Sequence, residues 1–302
     1  MRFQVREWDK AQFPALLRCA DDASKAAQRR YLHWIAFNLA LLSFGSIEGA
    51  YHGVSPGTQT ASLIISGGSF FLGLAVSLLL AHMRWERIWF SGRAVAESVK
   101  SLAWKFSTGA DPFPVSLPLK DALDRLTAQF TELMKDHKDL AAAFVGSEIV
   151  GDQVTSFMTG LRESAVGVRR DVYLAQRVND QRAWYGQKAN HNRRRQTGWF
   201  VTFISVQLLA CIATVLLIIH DELPWHLGGI FGTVAAAILA WGQVKQYQEL
   251  TQAYGYAAQE LSMIAARGTY ISSDDELGRF VADAETAISR EHTAWVARRE
   301  TS

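Results

Sequence analysis

A chain of 302 residues with 20% charged side chains, a formal net charge of +2 and a mean hydropathy near zero has the averages of an ordinary globular protein. Its charges are segregated: from Tyr31 to Met83 the only Asp, Glu, Lys or Arg is Glu48, and from Gln196 to Val244 the only ones are Asp221 and Glu222. Two quiet regions of that length would expose too much apolar surface on a water-soluble bundle. Cys19 and Cys211 lie in such different surroundings that a disulfide scaffold is excluded.

In chain order, residues 1–30 read as a charged N-terminal segment, MRFQVREWDKAQFP and onward, expected to lack a cleavable signal peptide. A membrane helix needs about 20 mostly apolar residues at 1.5 Å rise each. Residues 31–83 hold enough for two such spans, Tyr31 to Tyr51 and Ser62 to Met83, broken by HGVSPGTQT. Residues 84–197 read as a helical domain outside the bilayer. Within it ADPFPVSLPL is a loop because three prolines interrupt regular structure. Leu119, Leu123, Leu126, Phe130 and Leu133 then form one apolar helical stripe. A further helix is expected from about Gly167, with no proline to stop it, directly into a third span. Residues 198–242 hold that span, Gly198 to Ile219, and a fourth, Pro224 to Gly242, separated by HDELPW. Residues 243–302 are again helical, with Ser273 and Glu276 at capping-box spacing ahead of Leu277, Phe280, Ala284, Ile288 and Trp295. The expected class is an all-α membrane protein with four transmembrane helices in two hairpins and helical extensions outside.

Orientation follows from HNRRRQTGWFVTF, residues 191–203, where three arginines stop where the apolar run begins. Arg29 and Arg30 precede the first span, Arg84 and Arg87 follow the second, and Lys245 follows the fourth, whereas neither inter-span loop carries Lys or Arg. The positive-inside tendency then puts both termini and the middle domain in the cytoplasm. Trp34, Tyr51, Trp199, Trp225 and Trp241 fall near span ends, where amphipathic rings favour the headgroup layer. The basic run has no aromatic platform or wider basic surface beside it, so nucleic acid is not an expected partner.

Polar residues inside the spans are the candidate functional positions. Asn38, Gly45, Glu48, Gly49 and His52 fall within an arc of about 100° on the first span, and Gln207, Cys211, Thr214 and Asp221 within about 80° on the third. Two readings stand: a water-accessible path lined by Asn38, Glu48, His52, Gln207, Thr214, Asp221 and Glu222, or hydrogen bonding between helices. Small residues give packing faces: Gly228, Gly232, Ala236 and Ala240 on the fourth span, and Ser69, Gly73 and Ser77 on the second. No phosphate loop, nucleophile elbow or H-E-x-x-H pair occurs. Glu291 and His292 are adjacent, which places them about 100° apart on a helix. Neither catalysis nor a metal or other cofactor is expected.

The two halves look like repeats. A shift of 163 residues superimposes Lys25 on Lys188, Arg30 on Arg193, Glu86 on Glu249, Gly92 on Gly255 and Glu97 on Glu260, and brings both hairpins into register in parallel topology. WFSGRAVAESVKSLAWKF (89–106), YLAQRVNDQRAWYGQKANHN (173–192), YGYAAQEL (254–261) and DAETAISREHTAW (283–295) resemble the SLATT group of bacterial membrane proteins, the SMODS and SLOG-associating two-transmembrane effectors. The matching positions are Trp89, Gly92, Arg93, Ala96, Glu97 and Trp104; Tyr173, Arg177, Trp184, Tyr185 and Lys188; and Glu285, Ser289, Glu291, His292 and Trp295. The resemblance covers most of the chain from about residue 25. It implies a pore-forming or membrane-perturbing effector of the bacterial inner (plasma) membrane, without transferable catalytic residues. The implied partners are the lipid bilayer, further copies of the chain in a homo-oligomer, and a separate nucleotide-second-messenger sensor or synthase. The alternative is a membrane-anchored interaction scaffold without a conducting path. The chain departs from the group's basic unit in having two hairpins rather than one.

Overall fold

The computed structural model describes residues 12–50, 56–144, 151–220 and 226–300, with side chains through Ser289. Among the described residues the regular structure is helical, with no strand. The helices are α1 (Ala15–Gly49), α2 (Pro56–Met83), α3 (Trp85–Thr108), α4 (Leu119–Asp136), α5 (Lys138–Ala143), α6 (Ser156–Arg162), α7 (Val166–Tyr173), a π-helical segment (Leu174–Asn179), α8 (Asp180–Ile219), α9 (Leu227–Lys245), α10 (Tyr247–Gly268) and α11 (Asp274–Glu300). The chain divides into two compact units. The first comprises Met1–Gln28, Glu86–Ala189 and Gln252–Ser302, and the second Arg29–Trp85 and Asn190–Thr251.

The first unit has an apolar interior built from Trp104, Phe106, Phe113, Leu126, Leu140, Met158, Leu161, Tyr173, Leu261 and Leu277. On α4 the expected stripe is turned slightly: Ala122, Leu126 and Phe130 are buried, Leu123 and Leu133 are half-buried, and Leu119 is exposed in the first turn. The N-terminus of α11 is a capping box, the Glu276 amide donating to Ser273 Oγ and the Ser273 amide to Glu276 Oε2, both at 3.3 Å. Leu277, Phe280, Ala284 and Ile288 of that helix are buried as their spacing requires. Arginine side chains satisfy backbone carbonyls where α3 ends. Arg162, buried, donates to the carbonyls of Phe106, Phe113, Pro114 and Leu117 at 3.1, 2.7, 2.7 and 3.3 Å. Arg169 donates to the Thr108 carbonyl at 2.7 Å and pairs with Asp274, while Arg170 reaches the Ile271 carbonyl at 2.8 Å. Buried carbonyls without donors would cost heavily, so these arginines fasten the α3 end and the start of α11 to α6 and α7.

The second unit is the apolar one. Three helical stretches, Pro56–Thr108, Val166–Ile219 and Leu227–Gly268, contain windows long and apolar enough to cross a membrane, falling in α2, the second half of α8 and α9. Only 22%, 11% and 6% of those windows are buried within the chain, so most of their apolar surface needs a hydrocarbon solvent. The expected first span is not among the three, because His33, Asn38 and Glu48 dilute the apolar half of α1. The helix carrying the second begins at Pro56, ahead of the expected span at Ser62, where proline suits the first helical position. The helix through the arginine run is unbroken, α8 extending from Asp180 to Ile219.

Within this unit the helices pair antiparallel, α1 with α2 and α8 with α9. In the first pair Asn38 meets Ser77, Gly45 meets Ser66 and Ser69, and Glu48 meets Ser62. In the second Thr214 meets Gly228. Each pair ends on a single left-handed residue, Arg84 (φ 47°) between α2 and α3 and Gln246 (φ 50°) between α9 and α10. These joints lie 162 positions apart, within one residue of the shift that aligns the halves in sequence. The backbone thus repeats the same break after each second helix, where helix-breaking residue types are absent.

Candidate functional site

The polar positions of the α1–α2 pair are engaged with each other. Asn38 Nδ2 donates to Ser77 Oγ at 2.9 Å, Ser62 Oγ donates to Glu48 Oε2 at 2.7 Å, and Ser66 Oγ donates to the Gly45 carbonyl at 2.7 Å. Ser62, Ser66, Ser69, Gly73 and Val76 form the buried edge of α2. A Cβ on Gly73 would lie 3.1 Å from Leu42 and 3.2 Å from Asn38 Oδ1. Glycine there lets the two backbones approach, and the serines supply donors where water is absent. Ser69, Gly73 and Ser77 thus lie at the α1–α2 contact. Ser62 and Ser66 extend that face toward the helix start; they continue its i, i+3, i+4 spacing and are readable from it.

In the apolar half of α8 the buried residues are Ala210 and Ala213, while Gln207, Cys211 and Thr214 lie on exposed positions. The Thr214 hydroxyl donates to its own helix, to the Ala210 carbonyl at 2.8 Å. The α9 face differs from the small-residue spacing. Gly228 abuts Thr214, so that a Cβ would collide with its hydroxyl, and Ala235 is buried. Gly232 has nothing within 4 Å of a Cβ position, Ala236 is exposed and Ala240 half-buried. His52, Asp221 and Glu222 lie outside the described residues.

A second constellation lies in the first unit. Glu285, on α11, is fully buried and receives Arg177 Nε and Nη2 at 2.9 and 2.8 Å, with the Tyr173 hydroxyl donating to Oε1 at 2.9 Å. Trp104 packs edge-on against the Tyr173 ring at 5.4 Å, and Phe280 against its other side at 6.1 Å. Arg177 reaches this position from the π-helical segment that follows Tyr173, an irregularity often found at functional or strained sites. Burial alone would depress the Arg177 guanidinium, but the bidentate carboxylate outweighs it and holds its pKa well above the ordinary range. Burial and the adjacent carboxylate push the Tyr173 phenol well above 10, keeping it a neutral donor. Around this centre Trp184 stacks edge-on with Tyr185 and Tyr254, with Arg93 and Lys188 over its ring at 6.0 and 5.6 Å. On α3, Gly92 sits against α1, a Cβ there meeting the Ala20 carbonyl and Ser24 at 3.0 Å, while Ser24 Oγ donates to the Trp89 carbonyl at 2.9 Å.

Of the residues quoted from the sequence as a signature, Trp104 on α3, Tyr173 and Arg177 before α8 and Glu285 on α11 form one contact assembly, while Trp89 and Gly92 pack α3 against α1. The side chains of Glu291, His292 and Trp295 lie outside those described. Among the described residues no cluster of three His, Cys, Asp or Glu side chains is placed to hold a metal ion. The assembly clamps α11 to the helices preceding α8.

Comparison with known proteins agrees with the signature. The family model described as SMODS and SLOG-associating 2TM effector domain 3 matches residues 14–170, and that described as SMODS and SLOG-associating 2TM effector domain 1 matches residues 173–295. No curated protein and no solved structure gives a significant match. The boundary between the two matched regions falls at Tyr173, so each region contains one antiparallel apolar pair and one left-handed joint. The chain belongs to the SLATT family, membrane effector domains associated with bacterial conflict systems, and carries two such domains in tandem.

Proposed function

We propose that the two tandem domains supply four membrane spans in two hairpins, and that copies of the chain assemble into a pore or channel controlled by the helical part outside the bilayer. In this reading residues 1–30, 84–197 and 243–302 are cytoplasmic, the membrane is the bacterial inner membrane, and the trigger comes from a separate nucleotide-second-messenger system. No catalytic step is required. The observation that carries it is the exposure of Gln207 on α8 and of Ala236 on α9, with open space beside half-buried Gly232. A lone chain would present the Gln207 amide to hydrocarbon, where an unsatisfied polar group is costly. A second copy packed against the open small residues, or a water-filled path, relieves that cost.

Glu48, with Asp221 and Glu222, would form an acidic outer mouth that concentrates cations. The test is conductance of the reconstituted protein: Glu48→Gln lowers cation preference, and neutralising all three acids lowers it further. An open assembly whose ion preference ignores all three neutralisations sinks the acidic path, and a chain that cross-linking and mass measurement show only as a monomer sinks the oligomeric pore. Single cysteines at Thr58 and Glu222, in a background without Cys19 and Cys211, should label from outside intact cells and one at Asp139 should not. Labelling at Asp139 reverses the orientation. The scaffold reading is favoured by one observation, the use of Asn38 and Glu48 in hydrogen bonds to α2; it predicts a stable assembly that never conducts.

A further inference from the structure

The second unit contains a cavity of about 510 Å³ between the arginine-bearing stretch of α8 and the end of α9. Its lining combines apolar Trp199, Phe203 and Leu239 with charged Arg193 and Glu249. Its volume is in the range of a small-molecule site. It straddles the place where charge gives way to hydrophobicity along α8, the depth at which a lipid head group joins its acyl chains. Two features of the backbone make the space. Gly242 lines it without a side chain, and a Cβ there would meet nothing within 4 Å. The left-handed Gln246 ends α9, so Glu249 in the first turn of α10 lines the same cavity as Arg193.

We infer that this cavity holds a phospholipid with an aminoethyl-phosphate head group, its phosphate on Arg193, its ammonium on Glu249 and an acyl chain along Trp199, Phe203 and Leu239. A guanidinium is the side chain best matched to a phosphate, and it makes no ion pair with another described residue. A carboxylate in the same cavity disfavours a purely anionic head group and matches a primary ammonium, which donates hydrogen bonds that a quaternary ammonium lacks. The inference rests on α8 and α9 being membrane spans.

Full-length protein in mild detergent is titrated with phosphatidylethanolamine, phosphatidylcholine, phosphatidylglycerol or soluble glycerophosphoethanolamine, and bound lipid is counted by native mass spectrometry. Phosphatidylethanolamine should be held about ten-fold more tightly than the other two lipids, and Arg193→Gln should weaken it about ten-fold, the scale of one charge-assisted hydrogen bond. Glu249→Gln should remove the preference over phosphatidylcholine. Gly242→Phe fills the cavity and should abolish retention, while Gly198→Leu, on α8 with open space at its Cβ, should leave it unchanged. Equal retention of the three lipids overturns the inference, as does retention indifferent to both Arg193→Gln and Gly242→Phe. Binding of the soluble head group as tightly as the lipid also overturns it, assigning the cavity to a free phosphate ligand. Alkaline carbonate washing of membranes separates the two levels: a chain that washes off refutes the spans, whereas an integral chain with unaltered lipid retention refutes the site alone.

Discussion

Replacing Glu285 by Gln keeps the shape of the side chain and removes its charge, leaving the Arg177 guanidinium buried without a counter-ion. Both side chains are almost inaccessible, Arg177 at 2% and Glu285 at 0% exposure, so water cannot substitute. Breaking such a pair costs roughly 3–5 kcal/mol. For a domain of this size that corresponds to a fall in melting temperature on the order of 10 °C. Arg177→Leu should cost a similar amount by stranding the carboxylate. The double substitution Arg177→Leu with Glu285→Leu should cost less than either single change, because it buries no unpaired charge. Tyr173→Phe removes one bond to the carboxylate and should cost about 1.5 kcal/mol. The phenol adds a pH dependence: the unfolded chain releases that proton near pH 10 and the folded one retains it, so folded protein binds more protons and stability falls as pH rises above 10. Tyr173→Phe should remove that part of the alkaline slope. Thermal melting of the detergent-solubilised chain, followed by tryptophan fluorescence across pH, measures all of this. A double substitution costing the sum of the two singles would show that packing volume, not charge pairing, holds α11 in place.

Further outcomes follow from the helix contacts. Gly92→Leu should cost about 1–3 kcal/mol by forcing α3 away from α1, whereas Gly255→Ala, at the matching position but with open space at its Cβ, should gain up to about 1 kcal/mol of helix propensity; equal effects in a melting assay would refute the asymmetry. Arg84→Gly and Gln246→Gly should each stabilise the chain by roughly 0.5–1 kcal/mol, because glycine adopts a left-handed backbone without the Cβ penalty, and losses in both would mean that the side chains matter more than the backbone. Ser273→Ala should cost about 1 kcal/mol at the start of α11. The Ser272 and Ser273 amides hold the Glu276 carboxyl below its ordinary 4.5, so its contribution is full above pH 4.5 and fades as pH falls through the lowered value; Glu276→Gln should flatten the acid limb of melting temperature against pH.

The sequence by itself determined the features that depend on neighbours along the chain. Apolar content over about 20 residues is a local sum, so α2, α8 and α9 were legible as helices for a bilayer. The capping box and the buried positions of α11 were legible because a helix repeats its contacts every three or four residues. The motifs were sufficient to identify the family, since Trp104, Tyr173, Arg177 and Glu285 retain their spacing even when their contacts are unknown. Tertiary structure decided which side chains meet. Arg177 and Glu285 are separated by 108 positions, and no local pattern marks them as a pair. Asn38 and Glu48 formed a visible stripe, but only the rotation and register of α2 against α1 set it against Ser77 and Ser62. On α9 the spacing pointed to Gly232 and Ala236, whereas Ala235 became the buried position, because periodicity defines several candidate faces and only the partner helix selects one. The left-handed joints at Arg84 and Gln246 carried no glycine or asparagine to announce them; they hold a backbone conformation that residue propensity alone disfavours, which no local pattern signals.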